Sequence, residues 1–180
     1  MVEDKRFETS RLLLRTLSED DAEALHIFWS DVRVTRYMHI NSLETMEQAR
    51  AFIANLNTLM EQNELTRYSI VLKETNEVIG TCGFDSFVPE HQTAEISYDL
   101  GKPYWGQGFA SEALRMILSD GFEGKELNRI EARIEPDNIR SIHALHKLGF
   151  MQEGKLRQAA RKGDRFTDML IFSLLKEEFE

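Results

Sequence analysis

At 180 residues with a formal charge of -9, the chain has the length of a single domain spanning residues 1–180. The acidic surplus disfavours general nucleic-acid binding, which rests on lysine and arginine neutralising phosphates, and suits a cationic partner better. No apolar run approaches the roughly 20 residues of a membrane span, and the opening Met1-Val2-Glu3-Asp4-Lys5-Arg6 lacks the zones of a signal peptide, so a cytoplasmic protein without membrane partners is expected.

In chain order, Leu12, Leu14 and Thr16 predict a first strand. Ser18 and Asp21 then form a helix-start pair ahead of Leu25, Phe28 and Trp29. Thr45 with Gln48 opens a second helix, whose apolar stripe is Ala49, Phe52, Ile53 and Leu56. Residues 68–72 and 78–84 flank a polar turn and predict a hairpin, with Cys82, the single cysteine, as a core thiol rather than a nucleophile. Residues 93–100 alternate, with Ala94, Ile96, Tyr98 and Leu100 on one face and Glu95, Ser97 and Asp99 on the other.

A glycine turn follows, Tyr104-Trp105-Gly106-Gln107-Gly108-Phe109-Ala110, and then a third helix with Ala113, Leu114, Ile117 and Leu118. Ile130, Ala132 and Ile134 mark another strand, which Pro136 ends before a last helix capped by Asn138 or Asp137 and closed by Gly149. Residues 151–159 and 166–174 are two final strands around Lys162-Gly163-Asp164. This order predicts an α/β fold, a mixed sheet of about seven strands covered by helices on both faces.

The glycine turn is the most chemical feature of the chain. Small residues at a helix start let a ligand approach main-chain N–H groups, and the helix dipole favours phosphate; the alternative is a helix entered through a flexible glycine pair. Two known phosphate motifs are excluded. The third glycine of a dinucleotide fingerprint is replaced by Ser111, and no Gly-Lys is followed by Ser or Thr as a P-loop requires.

From about residue 11 to residue 175 the chain resembles the GCN5-related N-acetyltransferase (GNAT) superfamily. Three segments carry the likeness: residues 94–100 running into Trp105-Gly106-Gln107-Gly108-Phe109-Ala110, then Pro136-Asp137-Asn138-Ile139-Arg140-Ser141, then Lys147-Leu148-Gly149-Phe150. Within it, Glu8-Thr9-Ser10-Arg11-Leu12-Leu13-Leu14-Arg15 and residues 138–150 are most similar to ribosomal-protein N-terminal acetyltransferases. The resemblance implies that sheet to be mostly antiparallel, acetyl-CoA as co-substrate with no metal, and a primary amine as acceptor. That acceptor is a protein N-terminus first, a polyamine or other small amine second; a non-catalytic acetyl-CoA sensor is the reading from another class. A homodimer is common among similar enzymes.

Site residues follow from the same likeness. Glu95 is the expected base, with Asp99 in reserve, because an amine must lose a proton before it attacks a thioester. The main chain of Tyr98, Asp99 and Leu100 is expected along the pantetheine arm. The diphosphate is expected on Trp105, Gly106, Gln107, Gly108, Phe109 and Ala110, and Asn138 and Ser141 on the CoA side of the last helix, with Ser141 as hydrogen-bond donor to sulfur. Two departures stand out. Trp105 replaces a common Gln or Arg, leaving the diphosphate to main-chain donors, and Leu145 stands where many relatives carry an acid tyrosine, which withdraws that phenol. Arg140, His143 and Lys147 form a basic stripe that either meets the 3′-phosphate or, as preferred here, faces solvent. Trp29, Tyr37, Met38 and His39 either shape an amine pocket or belong to the core.

Overall fold

The computed structural model describes residues 5–38 and 40–179, so His39 and the first four residues lie outside the described chain. Eight strands form one sheet in the order β1-β2-β3-β4-β5-β6-β8-β7. They are β1 (Arg6–Glu8), β2 (Leu12–Thr16), β3 (Thr66–Leu72), β4 (Glu77–Val88), β5 (Thr93–Leu100), β6 (Arg129–Ile134), β7 (Met151–Lys162) and β8 (Arg165–Leu175). Between them lie α1 (Ala22–Trp29), α2 (Val32–Thr35), α3 (Met46–Glu61), α4 (Phe109–Ser119) and α5 (Ile139–Lys147).

Two short elements go beyond the expected order, an eighth strand, β1, and an added helical turn, α2. β1 has three residues and α2 a single turn, so neither spans enough sequence for a periodic signal. β1 exists because Arg6, Phe7 and Glu8 pair with Arg15, Leu14 and Leu13 of β2, while α2 starts where the Asp31 carboxylate accepts from the Arg33 N–H.

The local signals otherwise act as their chemistry predicts. Ser18 and Asp21 make a reciprocal capping box on the turn that leads into α1, and Thr45 with Gln48 does the same for α3. Asn138, rather than Asp137, caps α5. Gly149 ends that helix at a φ of 91°, a conformation that costs glycine little and other residues about 1 kcal/mol or more. Cys82 is wholly buried, and burial pushes its thiol up to about 12.

One pairing is parallel, β5 with β6, and α4 supplies the crossover that a parallel pair needs. It covers only Thr93 to Glu95 against Arg129 to Glu131. Beyond that point β5 continues with β4 as far as Leu100, and β6 continues with β8 as far as Ile134, so the two strands part. The sheet opens into a cleft there.

The faces of the sheet differ. Tyr68, Cys82 and Tyr98 lie in one cross-strand row and belong to the large core beneath α4 and α5, with Ile117, Leu118 and Leu145. The neighbouring rows, Ser69-Thr81-Asp99 and Arg67-Gly83-Ser97, point to the opposite side, toward α1 and α3. There a second core gathers Leu25, Trp29, Ile53 and Leu56. Trp29 is almost fully buried, with its ring edge-on to Phe52 at 5.2 Å, and truncating such a side chain costs about 3–5 kcal/mol.

Candidate active site

A cavity of about 510 Å³ runs from the glycine turn, past the β5–β6 cleft, to the residues of α1, α2 and α3. It brings together Glu95, Tyr98, Asp99, Leu100, Trp105, Gly106, Gly108, Phe109, Ala110, Asn138 and Ser141. Of the expected site residues, Gln107 does not line it. Its side-chain amide turns back to the Pro103 carbonyl at 2.7 Å.

The turn is shaped by backbone conformations that favour glycine. Gly106 and Gly108 have φ of 74° and 82°, and a Cβ at Gly106 would meet nothing within 4 Å, so the space before the main chain is free for a ligand. Gly108 caps α4 and has no side chain to bond its first N–H groups, so among the described residues these stay open to an anion. That free space and those unpaired donors fit a diphosphate.

The turn is held from outside by Arg11. Its Nη1 donates to the Gln107 carbonyl at 3.0 Å, its Nε to Glu112 at 2.7 Å, and its guanidinium lies 4.3 Å from the centre of the Phe109 ring. Because a trans peptide sets C=O and N–H in opposite directions, anchoring that carbonyl turns the Gly108 N–H away from the cation. Glu112 also accepts from the Thr9 hydroxyl and the Arg11 N–H. Burial raises its pKa, but these donors outweigh burial and hold the carboxyl below its usual range.

Trp105 acts structurally, because its indole N–H donates to the Leu100 carbonyl at 2.8 Å and ties the turn to the end of β5. Arg140 lies 4.0 Å from the centre of its ring. Arg140, His143 and Lys147 are all exposed, as a solvent-facing stripe requires, and they also line the cavity on the α5 side.

The ladder decides which amides face the cleft. Gly101 N–H donates to the Ile79 carbonyl beside the Leu100–Gly80 pair, so by antiparallel alternation the main-chain groups of Tyr98 and Leu100 turn away from β4, toward the opening. Those of Asp99 turn into the ladder with β4. Its side chain is also committed: the carboxylate accepts from Trp29 Nε1 at 3.1 Å and from the Thr81 hydroxyl. Burial raises its pKa. Asp99 thus serves as a buried tether for α1, which removes it as the reserve base.

Glu95 sits where the strands part, half-buried, with Arg133 Nε 3.6 Å from its carboxylate. Burial raises its pKa; Arg133 opposes the shift while Asp85 and Glu131 add to it. Asp85 is near because of an irregularity in β4: the register passes from Phe84 to Ser86 and leaves Asp85 unpaired. Sequence periodicity missed Asp85 for that reason.

On the opposite face, the Tyr98 phenol donates to Ser141 Oγ at 2.9 Å. The Asn138 carbonyl oxygen accepts the Ser141 N–H at 3.4 Å, so Asn138 does the capping and the serine hydroxyl is held from the sheet. A phenol therefore does reach this part of the site, although Leu145 is fully buried in the core and offers none. Spacing within α5 had no signal for it.

The end of the cavity away from the glycine turn is walled by Trp29, Val34, Tyr37, Met38, Phe52 and Leu56. Trp29, Tyr37 and Met38, for which pocket and core were both open, line the cavity, with Trp29 also in the second core and Met38 packed against it, and His39 lies outside the described residues. Arg67 was missed. It reaches over Gly83, its cross-strand neighbour, to the Ser97 hydroxyl at 2.9 Å and pairs with Asp85, and a Cβ at Gly83 would strike the Thr66 carbonyl at 1.9 Å. The signal was an arginine directly before the β-rich run of residues 68–72.

Residues 11–151 match the model of the acetyltransferase (GNAT) domain. An uncharacterised N-acetyltransferase, p20, of Bacillus licheniformis is 47% identical over 171 residues, 95% of this chain and 96% of that protein. The ribosomal-protein-serine acetyltransferase of Escherichia coli (strain K12) is 31% identical over 117 residues, 65% of each chain. The crystal structure of a GNAT-family acetyltransferase from Bacillus anthracis superposes with a TM-score of 0.86 at 30% identity, covering 97% of this chain and 100% of that one. The matched segment contains the parted strands, the glycine turn and both helices that flank the cavity, and the chain belongs to the GNAT family of acetyl-CoA-dependent N-acetyltransferases.

Proposed function

We propose that the enzyme acetylates the N-terminal amine of a protein, of the kind found on ribosomal proteins, by direct attack on acetyl-CoA within a ternary complex in the cytoplasm. One observation carries the reading: a single cavity joins the glycine turn to Glu95 through the gap between β5 and β6. Donor and acceptor therefore meet without a covalent enzyme intermediate, and the buried, unreactive Cys82 offers no nucleophile for one.

Acetyl-CoA lies with its diphosphate on the main-chain N–H groups of the turn and α4, and its pantetheine arm along the N–H groups of Tyr98 and Leu100 that turn away from β4. Glu95 takes a proton from the incoming ammonium, directly or through a water. An amide facing the cleft stabilises the oxyanion, and Ser141 donates to the departing sulfur.

The acceptor wall favours an N-terminus over a polyamine. Arg33, Arg67 and Arg133 stand among its lining residues, each paired with a carboxylate, Asp31, Asp85 and Glu95 in turn, so the wall keeps few carboxylates for a chain of several ammonium groups. The apolar wall of Val34, Met38, Phe52 and Leu56 suits a short peptide's first side chains.

Thiol release from acetyl-CoA across N-terminal peptides, polyamines, amino acids and aminoglycosides tests this. Turnover on the peptides with little on the others is the expected result. Preference for spermidine overturns the acceptor class, and tight CoA binding with no release on any amine makes the protein a sensor.

A further inference from the structure

We propose that Tyr98 is a positioning residue for departure of the CoA thiolate: its phenol occupies Ser141 Oγ and thereby aims the serine proton at sulfur. The inference rests on the reading of Ser141 as the donor to sulfur. A serine hydroxyl has one proton and two lone pairs, and rotates freely unless something fixes it. Here the phenol of β5 donates to that oxygen at 2.9 Å, from a side chain that lines the same cavity. One lone pair is then taken, and the serine proton is left for another acceptor.

Three further observations support the arrangement. The Ser141 N–H is already satisfied by Asn138, so the hydroxyl is not needed to cap α5. Leu145, one turn further along α5, is fully buried and contributes no competing hydroxyl. Burial raises the Tyr98 phenol above its ordinary range, so it keeps its proton wherever the enzyme works. An O–H that accepts a hydrogen bond is also a stronger donor, so the phenol polarises the serine as well as orienting it.

In the reaction the C–N bond forms and the C–S bond breaks, with its electron pair going to sulfur. Of the two protons the ammonium loses, one passes to Glu95 and the other ends on the thiolate or in solvent. Ser141 and Tyr98 keep theirs, and their hydrogen bonds carry part of the charge on sulfur.

The test needs no acceptor. CoA bound to the enzyme is titrated by ultraviolet thiolate absorbance, as difference spectra against the CoA-free protein, for wild type, Tyr98→Phe, Ser141→Ala and the double variant. Cys82, the single cysteine of the chain, ionises only near about 12 and stays silent in the working range. In wild type the bound thiolate-to-thiol ratio should be roughly tenfold above that of free CoA, one unit of pKa. Either substitution should abolish the gain, and the double variant should lose no more than Ser141→Ala.

A thiol ratio unchanged by Tyr98→Phe but lost in Ser141→Ala overturns the role of Tyr98 and leaves that of Ser141 standing. No change in Ser141→Ala overturns the reading of Ser141 instead. Calorimetric CoA affinity and melting temperature serve as controls, since phenylalanine keeps the ring, and an undiminished fold with the thiol effect gone identifies positioning rather than support.

Discussion

Arg11 Nη1 donates to the main-chain carbonyl of Gln107 at 3.0 Å across 96 positions of sequence. A side chain beside β2 thereby sets the orientation of a peptide unit in the glycine turn. Losing one charged hydrogen bond of this kind costs about 1.5–3 kcal/mol, and partial exposure of Arg11 favours the lower end. Arg11→Ala should therefore weaken acetyl-CoA binding by roughly tenfold while leaving the KM of the amine unchanged. Calorimetry with CoA and steady-state kinetics for each substrate separate the two. An equal loss for both substrates would mean that Arg11 supports the fold rather than the turn.

Gly106 and Gly108 share a left-handed backbone but differ in surroundings. A Cβ at Gly108 would lie 3.5 Å from Arg11 Nη2, whereas one at Gly106 would stand in open space. Alanine at either position should cost about 1 kcal/mol of stability from backbone conformation. Gly106→Ala should in addition raise the KM for acetyl-CoA several-fold, because its methyl group projects into the space a ligand must use. Thermal melts and donor kinetics on the same preparations check both effects.

Glu95 has a raised pKa, first from burial and then from Asp85 and Glu131, against the pull of Arg133. A base works only when deprotonated, so activity should fall as pH drops through that raised value, nearer neutrality than for an ordinary carboxylate. Glu95→Gln should lower turnover by roughly 10²-fold or more and remove that acid limb from the kcat/KM profile. The stability sign is opposite: a carboxyl whose folded pKa is raised loses stability as pH rises through it. The glutamine variant should therefore melt no lower than wild type at neutral pH. A profile that keeps its acid limb would assign the proton to another group.

Asp21 illustrates the structural use of a carboxylate on the same face. Burial raises its pKa, but Arg15, Ser69 and the Ser18 N–H outweigh this and bring it below the usual value. Arg15 Nη1 donates at 2.8 Å and the Ser69 hydroxyl at 2.6 Å. A lowered carboxylate contributes stability above its unfolded pKa and loses it as pH falls through the folded one. Asp21→Asn should cost about 3 kcal/mol at neutral pH, since the arginine loses its buried partner, and the deficit should shrink in acid. Urea unfolding at several pH values measures it.

Most elements are legible in the sequence because their causes lie within a few residues. The boxes at Ser18 and Thr45, the Asn138 cap and the Gly149 terminus each need only a side chain and a main-chain group within about one turn. The alternation of β5 correctly divides Tyr98 from Asp99. It does not reveal that both faces are covered, and so it offers Asp99 as an accessible reserve base where the fold makes it a buried partner of Trp29.

Periodicity, caps and the glycine pair carried the fold class and the backbone of the turn before α4, since these are properties of neighbouring residues and of backbone conformations few side chains tolerate. The other half arose in three dimensions. Tyr98 on Ser141, Trp29 on Asp99, Arg11 on Gln107 and Arg67 on Ser97 are contacts between residues 30 to 96 positions apart. Hydrogen bonds act over about 3 Å, so such pairs leave no trace in local spacing and exist only once strand register and helix packing have brought the partners together.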